Sequence, residues 1–84
     1  MEKTQIRIVN NSGMDLSAIV RDLPMVGIMR NNWRQRMVTL YQVSETEVIS
    51  IGKSFDLKEI VVCREPRESF KSTLAAYPST YVYD

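Results

Sequence analysis

Between Arg30 and Arg36 the chain reads Arg-Asn-Asn-Trp-Arg-Gln-Arg, and no acidic residue occurs from Pro24 to Val43. The segment gathers three of the seven arginines around the only tryptophan. An arginine fork matches phosphate oxygens two at a time, and an indole offers a face on which a base can stack. Tryptophan and arginine are also the usual anchors of protein interfaces. Arg30, Trp33, Arg34 and Arg36 are therefore the candidate binding residues, for a protein partner or for the phosphates of a nucleotide or nucleic acid. If residues 34–38 are extended, Arg34 and Arg36 project from one face. A third reading folds Trp33 into the core and leaves the arginines as solvated charge.

Other constellations carry less chemistry. The carboxylate pairs Glu45/Glu47 and Glu65/Glu68 stand in polar stretches, where solvated charge is the expected state rather than acid–base work. There is no histidine and a single cysteine, Cys63, so a zinc site and an intrachain disulfide are not expected. Cys63 lies in an apolar run and reads as a buried, reduced thiol. The three glycines are isolated at 13, 27 and 52, which leaves no phosphate-cradling loop of known type. No catalytic spacing is present, and neither enzymatic activity nor a cofactor is expected. Met14, Met25, Met29 and Met37 cluster in the first half and read as core filling. Tyr77, Tyr81 and Tyr83 crowd the C-terminus, and Tyr81 and Tyr83 are candidates for self-association at a sheet edge.

Positioning these residues falls to a scaffold centred on Met37–Cys63. Residues 37–43, 48–51 and 60–63 are rich in β-branched or aromatic side chains, and Ser44–Glu47 suits a hairpin loop between the first two. Three antiparallel strands are expected there. Upstream, Ile6 and Ile8 alternate with Gln5 and Arg7 as in a half-buried strand, and Asn10–Gly13 ends it. Asp15 can cap a helix whose face is Leu16, Ile19, Val20 and Leu23, stopped at Pro24. From Pro24 to Trp33, Met25, Ile28, Met29 and Trp33 could line a second helix, with a loop as the alternative. Phe70, Leu74 and Tyr77 mark a helix starting near Pro66 and ended by Pro78, and Ser79–Tyr83 alternates as a last strand. The expected fold is one α+β domain over residues 1–84, in the order β-α-(α)-β-β-β-α-β. Its sheet is mostly antiparallel and its helices pack on one face.

With 84 residues, a 44% apolar and 25% charged composition and a net charge of +1, the chain reads as an ordinary globular domain. The near-neutral charge argues against a general nucleic-acid coat, though not against a local basic patch. No apolar run is long enough to span a bilayer and the first residues lack a signal-peptide pattern, so no membrane association and a cytoplasmic location are expected. These features favour a small non-enzymatic protein acting by stoichiometric contact with another protein, as an adaptor or inhibitor. Phage- or plasmid-encoded modulators of host machinery or defence are of this size. The alternative is a nucleic-acid or nucleotide binder. A domain this small gains stability by pairing, so a homodimer is expected.

Overall fold

The structure is a computed structural model that describes residues 5–76 and 82–83. The chain runs through β1 (Arg7–Asn10), α1 (Leu16–Asp22), β2 (Met25–Asn31), β3 (Arg36–Gln42), β4 (Glu47–Ser54) and β5 (Glu59–Pro66). A 3-10 turn (Arg67–Phe70) then leads into α2 (Lys71–Ala76), and β6 (Val82–Tyr83) follows. The six strands form one sheet in the order β1-β5-β4-β3-β2-β6. The four central strands are antiparallel neighbours, while β1 joins β5 and β6 joins β2 in parallel. The α+β class and the mostly antiparallel sheet follow the sequence expectation.

The strand expected at Met37–Val43 is β3, and those at Val48–Ile51 and Ile60–Cys63 are the middles of β4 and β5. β4 is the axis of the fold. Val48, Ile49, Ser50, Ile51 and Gly52 are all buried, because both faces of this strand are covered. On one face Ile49 and Ile51 meet Val62 of β5 and Ile19 of α1, with Leu16, Leu23, Tyr41 and Ile60 packed around them. Each fully buried aliphatic side chain there contributes about 1.5–3 kcal/mol. α1 forms as its apolar spacing requires. Asp15 occupies the N-cap position, but its carboxylate makes no capping bond, and its backbone oxygen accepts the Ile19 amide at 3.0 Å.

Two expectations are corrected. Residues 24–33 form neither a second helix nor a loop but β2 and the start of a turn. An irregularity between Met25 and Gly27 pairs Met25 with Tyr41 and Gly27 with Leu40, leaving Val26 as the extra residue. This bulge breaks the two-residue alternation, so Met25, Ile28 and Met29 mimic helical spacing. Gly27 belongs to the strand for a steric reason. A Cβ there would lie 2.8 Å from Leu40 Cδ1 and 3.2 Å from Thr73 Cγ2. The second correction concerns the layers. Gly27, Met29 and Leu40 share the face opposite Ile49 and Ile51, and Thr73 of α2 packs there, with its hydroxyl 3.7 Å from Met29 Sδ. The helices therefore sit on opposite faces of the sheet, α1 over Ile49 and Ile51 and α2 over β2.

Among the described residues no helix is long and apolar enough to cross a membrane. Tyr77 and Tyr81 lie outside the described residues. Tyr83 pairs with Arg30 through the backbone of β6.

Candidate binding site at the hairpin end of the sheet

The Arg30–Arg36 segment is a β-hairpin tip. Asn31 and Arg36 close the β2–β3 ladder, and Asn32, Trp33, Arg34 and Gln35 make the turn between them. Asparagine side chains hold it in shape. The Arg34 amide donates to Asn31 Oδ1 at 2.8 Å, and Arg30 Nε donates to Asn32 Oδ1 at 2.8 Å. Gln35 has φ 53°, the left-handed conformation that lets the chain re-enter the sheet.

Trp33 is 86% exposed, which overturns the reading that folds it into the core.

A second turn, Phe55–Lys58 between β4 and β5, lies alongside. The Phe55 amide donates to Gln35 O at 2.9 Å, and the Arg30 guanidinium stands over the Phe55 ring, 4.8 Å from its centroid. Ser54 organises this turn. Its hydroxyl donates to Asp56 Oδ1 at 2.7 Å and accepts the amides of Lys58 and Glu59 at 3.1 and 3.0 Å. The Ser54 hydroxyl, then the Lys58 amide, hold the Asp56 carboxyl below the ordinary carboxylate range. Leu57 has φ 60° and is 63% exposed, and Phe55 is 39% exposed. Left-handed backbone costs an L-residue about 1–2 kcal/mol. Sequence reasoning missed Phe55 and Leu57. The available signal was two large apolar residues inside a polar turn, Ser-Phe-Asp-Leu-Lys.

The four predicted arginine and tryptophan positions divide between two surfaces. Arg30 and Trp33 stay at the tip with Phe55 and Leu57. Residues 34–38 are not extended throughout, as the shared-face argument required, because Arg34 and Gln35 belong to the turn and β3 starts only at Arg36. Arg34 and Arg36 nonetheless line one groove on the face that carries α2, with Met29, Val38, Gly52, Val61 and Phe70 among its walls and a volume of about 690 Å³. Arg36 is half-buried and ion-paired with Glu59, and its Nη1 is buried without a partner among the described residues. The Arg34 side chain makes no hydrogen bond or ion pair among the described residues. Further along the groove, Ser50 Oγ donates to Glu65 Oε2 at 2.8 Å. Cys63 also lines the groove and is half-buried rather than buried. Gly52 leaves its floor flat, since a Cβ there would find only ordinary contacts at 3.7–3.9 Å.

Charge is segregated along the strands. At the hairpin end Arg7, Arg30, Arg34, Arg36, Lys53 and Lys58 stand against Asp56 and Glu59. At the opposite end Asp15, Asp22, Glu45, Glu47, Glu65 and Glu68 outnumber Arg21, Arg64, Arg67 and Lys71. A near-neutral chain thus carries a basic end on which Trp33, Phe55 and Leu57 are exposed. Among the described residues no group of three or more His, Cys, Asp or Glu side chains is placed to hold a metal ion. Comparison with family models, with curated proteins and with solved structures finds no match for this chain.

Proposed function

We propose that this chain is a small non-enzymatic binding protein that acts as an adaptor or inhibitor through stoichiometric contact with another protein. Its contact surface is the ridge of Trp33, Phe55 and Leu57 at the hairpin end. The observation that carries this reading is Trp33, 86% exposed on a turn immobilised by side-chain hydrogen bonds. A large indole presented on an ordered turn gains its full burial on binding, and tryptophan is among the residues that dominate interface energetics. Leu57 supports the same reading. A leucine in a strained, exposed backbone position does nothing for the fold that glycine or asparagine would not do at lower cost. The test is a titration by calorimetry with the protein that wild-type bait retains from a lysate, once purified. A fixed stoichiometry and an affinity lowered at least tenfold by Trp33→Ala support the reading, and an unchanged affinity refutes it.

A second reading is favoured by one observation. Arg34 has no side-chain partner among the described residues, stands next to Trp33, and belongs to the basic end. A phosphate-bearing ligand, nucleotide or single-stranded nucleic acid would use that pair, with the base stacked on the indole. Because Trp33 is the sole tryptophan, its fluorescence reports such contact directly. Quenching by a single-stranded oligonucleotide, with an affinity that falls steeply as salt rises, supports this second reading over the first.

A further inference from the structure

We propose that β1 pairs antiparallel with β1 of a second copy of this chain, with Ile8 opposite the partner's Ile8, so that one continuous sheet crosses the dimer axis.

The backbone of β1 is committed on one side only. The Arg7 amide donates to Lys58 O at 2.9 Å and the Asn11 amide to Val62 O at 2.8 Å, in a parallel register that pairs Arg7 with Glu59 and Val9 with Val61. Alternation then directs the N–H and C=O groups of Ile8 and Asn10 away from the sheet. Among the described residues no strand meets that outer edge. The side chains tell the same story. The alternation expected a half-buried strand with Ile6 and Ile8 on its inner face, yet they are 52% and 53% exposed. Open edges in natural sheets are usually blunted by proline, inward-pointing charge or a covering element. Among the described residues a short strand and Arg7 are the only such devices.

The register follows from parity and charge. Outward-pointing residues must face outward-pointing residues, which admits three close registers. Setting Ile6 opposite the partner's Ile8 places Arg7 against the partner's Arg7, and like charges directly opposite are destabilising. Setting Ile8 opposite the partner's Asn10 leaves Ile6 outside the pairing. Setting Ile8 opposite the partner's Ile8 places Arg7 against the partner's Val9, and brings both exposed isoleucines of each copy into the ladder. Only this last register keeps both isoleucines in the pairing without setting like charges opposite one another. The pairing is short and buries less than the roughly 1,200–2,000 Å² of a standard interface, so the dimer is concentration-dependent.

A twofold axis through Ile8 points the two hairpin ends in opposite directions. If the proposed function holds, the dimer presents two Trp33 ridges facing away from each other and bridges two partner molecules instead of clamping one.

The test needs only the protein itself. Light scattering up to about 100 μM, well above a micromolar dissociation constant, is expected to give a dimer. Arg7→Cys, Ile8→Cys and Val9→Cys are then made separately in a Cys63→Ser background and mildly oxidised, with circular dichroism confirming the fold. Directly paired residues of this type lie about 5.5 Å apart between Cα atoms, within disulfide range. Ile8→Cys is expected to cross-link, while Arg7→Cys and Val9→Cys, which would meet their own copies only in the rejected registers, are not. A monomer at that concentration overturns the proposal, as does preferential cross-linking at position 7 or 9. Trp33→Ala is expected to dimerise as wild type does. A loss of dimer in that variant would assign self-association to the hairpin end and also overturn the proposal, whereas retained dimer with unchanged partner affinity would refute only the functional reading.

Discussion

Arg30 and Phe55 come from different hairpins, and their stacking at 4.8 Å joins the β2–β3 turn to the β4–β5 turn. Together with the Phe55 amide on Gln35 O, this contact makes one surface of two loops. Arg30 is thus occupied in supporting Phe55 and in bonding Asn32, whereas the Arg34 side chain has no partner among the described residues. A double-mutant cycle on Arg30→Ala and Phe55→Ala is expected to give a coupling of about 0.5–1 kcal/mol in stability, the range of an exposed cation–π pair. Strict additivity in chemical denaturation would mean the two turns move independently.

Leu57 separates stability from binding. Leu57→Gly removes the left-handed strain and the exposed side chain together. The relief of about 1–2 kcal/mol is set against a glycine entropy cost of about 0.5–1 kcal/mol. The melting temperature is expected to hold or rise slightly while partner affinity falls. A lower melting temperature with unchanged affinity would show that Leu57 serves the fold.

The acid limb of the stability curve tests the Ser54–Asp56 turn. The Asp56 carboxyl titrates below its unfolded value, so its contribution is fully present above about pH 4 and is lost as pH falls through the lower folded value. Asp22, held down by Arg21, behaves in the same sense. In melting curves below about pH 4, Asp56→Asn is expected to lose less stability with falling pH than wild type. Parallel curves would remove the turn's role.

The sheet was legible where composition dominates geometry. Val38, Val43, Val48, Ile49, Ile51, Ile60, Val61 and Val62 announce three strands because β-branched side chains suit a pleated surface. β2 was hidden because Gly27 removes an apolar side chain and the bulge at Val26 shifts the period. The faces taken by α1 and α2 could not be read from their stripes, since Ile19 and Thr73 each need only some sheet surface to cover. The clue lay in β4, where Ile49 and Ile51 serve one face and Val48, Ser50 and Gly52 the other, an unbroken buried run that calls for cover on both sides. At the site, Arg30 to Arg36 stood out by composition, whereas Phe55 and Leu57 resemble strand residues until the Ser54 turn is seen to hold them in a loop.

The central claim is that Trp33 is a contact residue and not a structural one. The direct measurement compares wild type with Trp33→Ala in two assays on the same preparations, thermal unfolding and calorimetric titration with the captured partner. Since Trp33 is 86% exposed, stability is expected to change by no more than about 0.5 kcal/mol, while affinity falls by about 2 kcal/mol or more, roughly thirtyfold. A variant that melts several degrees lower, or one that binds the partner as tightly as wild type, would contradict it.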